Sequence, residues 1–284
     1  NGRSGPVVVE IPADVGTQDV PAASFNYLPP KRLPQAPSVG AVKDAVQALL
    51  GAHKPLIWSG MGTLMSEASA DLRELAELLD IPVYCTMPGK SGFDERHPLA
   101  LGAGSGATGL HARRWIQECD VLMALGSSLT RTGYGQPIPD GKVMIHNTDS
   151  IADINKDYNV EVGLPGDTKL TIQMLIDEVK GRLGPNGHKG KSTVAAEIAE
   201  IKQQWLAEWT PLLHSDETPI NTYRVIGELE RTLDKDNSII THDAGAPRDT
   251  MMPFYTATVP HSYVGWGKTT HLGYGIPLMI GSKI

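Results

Sequence analysis

Two rhythms of apolar and polar positions alternate along this chain. One is a set of short, continuous apolar runs: Pro55–Trp58, Ile81–Cys85, Asp120–Leu125 and Lys142–His146. The other places apolar residues three and four apart, as in Val42, Val46, Leu49 and Leu50, or Leu72, Leu75, Ala76 and Leu79. Uninterrupted runs of this length read as strands buried on both faces, and the three-to-four spacing reads as helices with one apolar side. The pattern predicts helices over Val39–Leu50, Ser66–Leu79, His111–Glu118 and Leu170–Leu183, interleaved with the strands. Such alternation builds a parallel sheet covered on both sides, so residues 39–184 are expected to form one doubly wound, Rossmann-like α/β domain.

The flanks read differently. Pro6–Ile11 has the look of a buried strand with no element before it to pair with, as in a segment cut from something longer. Residues 16–38 carry Pro21, Pro29, Pro30, Pro34 and Pro37 without periodicity and read as an extended connector. Residues 185–218 hold a polar linker and a helix bearing Ile198, Ile201 and Trp205. From 219 a second α/β unit begins, with a helix over Thr222–Leu233, a strand over Ser238–Thr241 and the turn Asp243-Ala244-Gly245. It stops at Ile284 inside an apolar run, with too little sheet to stand alone, so the chain is expected to be a piece of something longer.

Composition narrows the function classes. A net charge of -7 argues against a nucleic-acid surface, and no run approaches the roughly 18 apolar residues of a membrane helix. Cys85 and Cys119 sit in apolar runs without metal-like spacing, as buried thiols of a cytoplasmic protein would.

Candidate chemistry lies where strands end. Gly60 and Gly62, Gly126 with Ser127 and Ser128, and Asn147 to Asp149 follow three predicted strands. In open parallel sheets ligands sit beyond these carboxyl ends, and glycine lets a phosphate approach the backbone. Gly60, Gly62, Gly126, Ser127 and Asp149 are therefore a candidate nucleotide site, although glycines also serve tight turns. Ser59-Gly60-Met61-Gly62 lacks the third glycine of the dinucleotide fingerprint. Gly187–Ser192 imitates a P-loop but has Pro185 where that motif needs glycine, and no strand before it. The histidines show no metal-ligand pairing, and no Gly-x-Ser-x-Gly elbow occurs. The densest constellation is Gly265–Pro277, four glycines ahead of an apolar stretch, where backbone must closely approach something.

Several motifs, in one order along the chain, resemble the acetolactate synthase-like branch of thiamine diphosphate enzymes: Gly5–Val15, Ile81-Pro82-Val83, Met87-Pro88-Gly89-Lys90, His97-Pro98-Leu99, Asp120–Gly126 and Gly166-Asp167. By that resemblance, residues 1–15 hold the last strand of a pyrimidine-binding domain, 39–184 a central domain, and 219–284 the start of a diphosphate-binding domain. Asp243, Ala244, Gly245 and Ala246 match the loop that holds the cofactor's diphosphate. Leu272, between His271 and Gly273, matches the apolar wedge that keeps the cofactor bent. Its N–H, and the carbonyl of Thr270, would contact the aminopyrimidine. The resemblance further implies Mg²⁺, a small 2-oxo acid such as pyruvate as substrate, and a homo-oligomer, dimer or tetramer, with the cofactor between subunits.

Two family features are not found in this chain: the catalytic glutamate and the Gly-Asp-Gly…Asn magnesium motif. No catalytic or metal-binding residue is assigned, and the isolated chain is expected to be inactive. Acetolactate synthase proper also holds FAD in the central domain with an Arg-Phe-Asp-Asp-Arg segment. The equivalent stretch here is Ser127–Thr132, with Arg131 alone aligning, so FAD or another nucleotide is left open. The competing readings are a non-catalytic nucleotide-binding or assembly module built on 39–184, and, disfavoured by the missing glycine, an NAD-dependent oxidoreductase.

Overall fold

The computed structural model describes residues 5–21, 26–31, 33–190, 192–265 and 271–283. The continuous apolar runs become β1 (Leu56–Ser59), β2 (Val83–Thr86), β4 (Val121–Leu125) and β5 (Val143–Thr148). Two further strands, β3 (Ala100–Gly104) and β6 (Val162–Pro165), lie at the edges. Their sequences, Ala-Leu-Gly-Ala-Gly and Val-Gly-Leu-Pro, are too short and too glycine-broken to announce strands. The sheet is parallel throughout, in the order β3-β2-β1-β4-β5-β6. This is the doubly wound order, and the chain reverses direction between β1 and β4.

Side chains on successive strand positions point to opposite faces, and each face has its own core. Ile57, Met123, Leu125 and Ile145 meet α2 (Val39–Gly51), α4 (Ser69–Leu79) and α6 (Thr168–Leu183). Leu56, Trp58, Leu122 and Ala124 meet α5 (Leu110–Glu118) and α7 (Val194–Leu213) on the other side. Helix starts follow local chemistry: Ser38 caps α2 by accepting from the Ala41 N–H at 3.2 Å, and Asp167 caps α6 through the Leu170 N–H at 3.1 Å.

The second unit comprises α8 (Thr222–Thr232), β7 (Ile240–Thr241), α9 (Ala246–Phe254), β8 (Tyr263–Val264) and α10 (Gly275–Lys283). Its sheet is two parallel strands of two residues each. Aromatic rings hold it to the first unit: Trp205 of α7 stacks on Phe254 at 4.8 Å, and Trp209 and Tyr223 close the cluster.

One expectation is corrected, and two helices are added to the reading. Pro6–Ile11 forms no strand: Val7 and Val8 are 85% and 91% exposed, and only the single turn α1 (Ala13–Gly16) follows. A strand needs a neighbour for its N–H and C=O groups, and no described residue pairs with this segment. The helix expected over Ser66–Leu79 is present as α4 but begins three residues later, and a separate short helix precedes it. A short α3 (Met61–Met65) ends where Glu67 turns left-handed, at φ 55°, and α4 starts afresh at Ser69. Helix α9 also escaped the pattern, because Pro247 and Pro253 interrupt its sequence.

Candidate functional site

The reversal between β1 and β4 opens a cleft of about 550 Å³. Gly60, Gly62, Gly126, Ser127 and Asp149 all line it, delivered by three strand ends. The glycines are needed first by the chain itself. The Gly60 and Gly62 N–H groups donate to the carbonyls of Leu125 and Gly126, each at 2.8 Å. A Cβ on Gly62 would lie 2.6 Å from the Gly126 Cα, and Gly126 itself is left-handed at φ 58°. Two backbone turns therefore touch where the sheet divides. Asn147, fully buried, locks them: its Oδ1 accepts from the Gly126 N–H, and its Nδ2 donates to Leu164 and Gly166 carbonyls and to Thr171 Oγ1.

The cleft walls are Trp58, Met61, Met65, Met87, Ile138 and Tyr134, with hydroxyls between them. Thr86 Oγ1 is buried at this wall without a hydrogen-bond partner. The volume falls within the usual range of small-molecule sites, and the orphaned hydroxyl suits a heteroatom of a bound ring. Among the described residues, no lysine, arginine or histidine lines the cleft. Arg131 stands outside, its guanidinium 4.6 Å over the Tyr158 ring and reaching Asp140 at 3.5 Å. The cleft thus fits the ring portion of a nucleotide better than its phosphates, whose charge would find neither a lining cation nor the N–H groups of Gly60 and Gly62.

The second locus follows β7. Gly245, left-handed at φ 77°, caps the start of α9, and a Cβ there would meet nothing within 4 Å, so the backbone faces open space. The Asp243 carboxylate accepts from the Ala244 N–H at 2.7 Å, the Gly273 N–H at 3.0 Å and the Gly275 N–H at 3.3 Å. These backbone donors, Ala244 first, hold its pKa below the ordinary aspartate value. One side chain thereby joins two segments thirty residues apart and places Asp243, Ala244, Gly245 and Ala246 beside Gly273. Leu272 lies next to them, 83% exposed, as does the exposed His271. Thr270 lies outside the described residues. Gly245 and Gly273, where a Cβ would meet nothing within 4 Å, let another group approach this turn.

The two loci are neighbours. Arg248 of α9 pairs with Asp249 at 2.8 Å and stands 5.2 Å over the ring of Tyr134, a wall of the cleft. Asp249 also takes a 3.4 Å hydrogen bond from Ser105, at the end of β3. This contact was not visible in the sequence because α9 itself was not, and Thr86 is a lone hydroxyl at the end of β2. Cys85 and Cys119 are buried. Burial pushes the Cys85 thiol up to about 12 and raises Cys119 as well, so neither is a nucleophile. Among the described residues, no helix is long and apolar enough to cross a membrane, and no three His, Cys, Asp or Glu side chains group as metal ligands do.

Order of strands, split cores and a cleft at the reversal define a doubly wound α/β protein with a second unit packed at its carboxyl edge. Residues 42–175 match the family model for the central domain of thiamine pyrophosphate enzymes. The chain is 31% identical over 297 aligned positions to a probable acetolactate synthase large subunit from Methanocaldococcus jannaschii, and 29% identical over 305 to one from Methanococcus aeolicus. It is 25% identical over 298 positions to the acetolactate synthase isozyme 3 large subunit of Escherichia coli. Each alignment takes in the whole of this chain and about half of the relative, 49% or 50%. The chain is similar to thiamine pyrophosphate enzymes and is acetolactate synthase-like.

Proposed function

We propose that the chain contributes the central domain and the diphosphate-holding turn of an enzyme that joins or cleaves carbon–carbon bonds next to the carbonyl of a small 2-oxo acid such as pyruvate. The observation that carries the reading is the Asp243 carboxylate, which ties Gly273 and Gly275 to the start of α9. That tie gathers the residues resembling the diphosphate loop and the wedge into one place. Gly245 would hold the diphosphate against open backbone, Leu272 would support the bent cofactor, and its N–H with the Thr270 carbonyl would orient the aminopyrimidine. Bound thiamine diphosphate supplies the carbon nucleophile that attacks the oxo acid. Leu272 and Ile276 are exposed apolar residues beside this turn, as a surface that receives cofactor and a second subunit would be.

In this reading Mg²⁺ and the catalytic glutamate come from residues outside the chain. The isolated chain is inactive, and the working form is a cytoplasmic homo-oligomer with transferase or lyase activity. The test is thiamine diphosphate binding by the full-length protein with Mg²⁺, followed by quenching of tryptophan fluorescence. Asp243→Ala is expected to weaken binding by about tenfold or more, one charge-assisted contact set being worth roughly 1.5–3 kcal/mol. Absence of binding by the unaltered protein would sink the assignment.

The cleft supports a second reading, of a nucleotide-binding or assembly module in the central domain. Its five converging strand-end residues and the orphaned Thr86 hydroxyl favour it. FAD or another nucleotide would enter ring first. Riboflavin binding at least as tightly as FAD supports ring recognition; FAD binding far more tightly would show that the phosphates are held after all.

A further inference from the structure

Lys90 closes the motif Met87-Pro88-Gly89-Lys90, and the site described above makes no use of it. The structure buries it almost completely, at 1% exposure, with Glu95 at 7%. The ammonium lies 2.7 Å from both Glu95 carboxylate oxygens and donates to the Met252 carbonyl at 3.2 Å. Glu95 Oε2 in turn accepts from the Ala257 N–H at 2.9 Å, and the Glu95 N–H donates to the Ala257 carbonyl at 3.0 Å. The Tyr263 ring of β8 lies 5.3 Å from the ammonium. Both charges belong to the central unit; Met252, Ala257 and Tyr263 belong to the second.

Met252 is in the last turn of α9, where carbonyls lack helical partners and a cation is favoured. The other end of the same helix starts at Gly245 and Ala246, the candidate diphosphate turn. Nine residues make a rod of about 13 Å, so a grip on its last turn sets the direction of its first. The N-terminal end has a second hold, through Asp249 on Ser105 and Arg248 on Tyr134. Burying two charges costs more desolvation than an apolar contact would, and single-partner geometry is what that cost returns.

We propose that Lys90 and Glu95 are a positioning pair: they orient α9 from the central unit and so hold the turn at Gly245 in register for the cofactor. The proposal rests on the thiamine diphosphate reading, and the experiment separates the two. Lys90→Met combined with Glu95→Gln removes both charges and strands neither. Hydrogen exchange of the 284-residue chain reads the orientation directly, with no cofactor present. Amides of Tyr255 and Ala257 are expected to exchange about tenfold faster or more, while those of β4 and β5 keep their rates. In the full-length protein with Mg²⁺, thiamine diphosphate affinity is expected to fall by about tenfold, where Leu75→Ala, a remote core change, leaves it unaltered. Unchanged exchange at Tyr255 and Ala257 overturns the proposal, and so does unchanged affinity in a protein that binds the cofactor. If the unaltered protein binds none, the cofactor reading fails, and exchange alone decides whether the pair orients α9. A double variant that does not fold overturns it too, since the pair would then support the fold at large rather than one helix.

Discussion

The two units of this chain bury their apolar residues to very different degrees. In the first, β1 and β4 are buried at every position, and helices cover both faces of a six-stranded sheet. In the second, the two strands are two residues long, α10 has no buried residue, and Leu272, Ile276 and Ile280 face solvent. The first unit is held by its own core. The second is held mostly by what it touches: the aromatic cluster around Phe254, and the Lys90–Glu95 grip on α9. Such a unit gains little from substitution-proof packing and is free to carry turns that open toward a ligand.

The largest effect that would sharpen this contrast is in the first core. Leu75 is fully buried among α2, α4 and α6. Leu75→Ala is expected to cost about 2–5 kcal/mol by urea unfolding, through lost transfer energy and a residual cavity. A loss under about 1 kcal/mol would mean that this core is loosely packed.

Next comes pH. Burial holds His111, packed against Trp205, down to about 4 from an ordinary value near 6.5. The unfolded chain binds this proton more readily than the folded one. The contribution is therefore fully present above about pH 6.5 and is lost as pH falls toward 4, by up to roughly 3 kcal/mol. His111→Phe should flatten that part of the stability curve, measured as melting temperature from pH 7 to 4; an unchanged slope would place the titration elsewhere.

The smallest expected effect is in the second unit. Ile276→Ser removes an exposed apolar side chain and should change stability by less than about 0.5 kcal/mol in this chain. A loss comparable to that of Leu75→Ala would show that α10 is buried by self-association. Equilibrium sedimentation of the same variant checks that directly.

The sequence disclosed the sheet because each central strand is apolar at consecutive positions, and disclosed α2, α4 and α6 because their leucines and valines recur with helical spacing. It also marked Gly60, Gly126 and Asp149 as strand-end residues, a local property. It could not show that Asp243 reaches Gly273, since that contact depends on the return path of residues 271–275 and on no spacing rule. Thr86 and Lys90 were hidden for a related reason: a lone hydroxyl or ammonium in a short segment carries no signal until its surroundings close over it. The false strand at Pro6–Ile11 shows the converse, an apolar run that local pattern marks as buried and that has nothing to lie against.

Period and composition alone dictated a parallel sheet between two helical layers, because side-chain alternation and helical repeat are properties of the backbone that every residue shares. The pairing order of the strands, the backbone contact of Gly62 on Gly126 and the burial of Lys90 beside α9 belong to the folded molecule only. Each joins residues far apart in the chain, and such contacts form when the whole core has already brought their elements together.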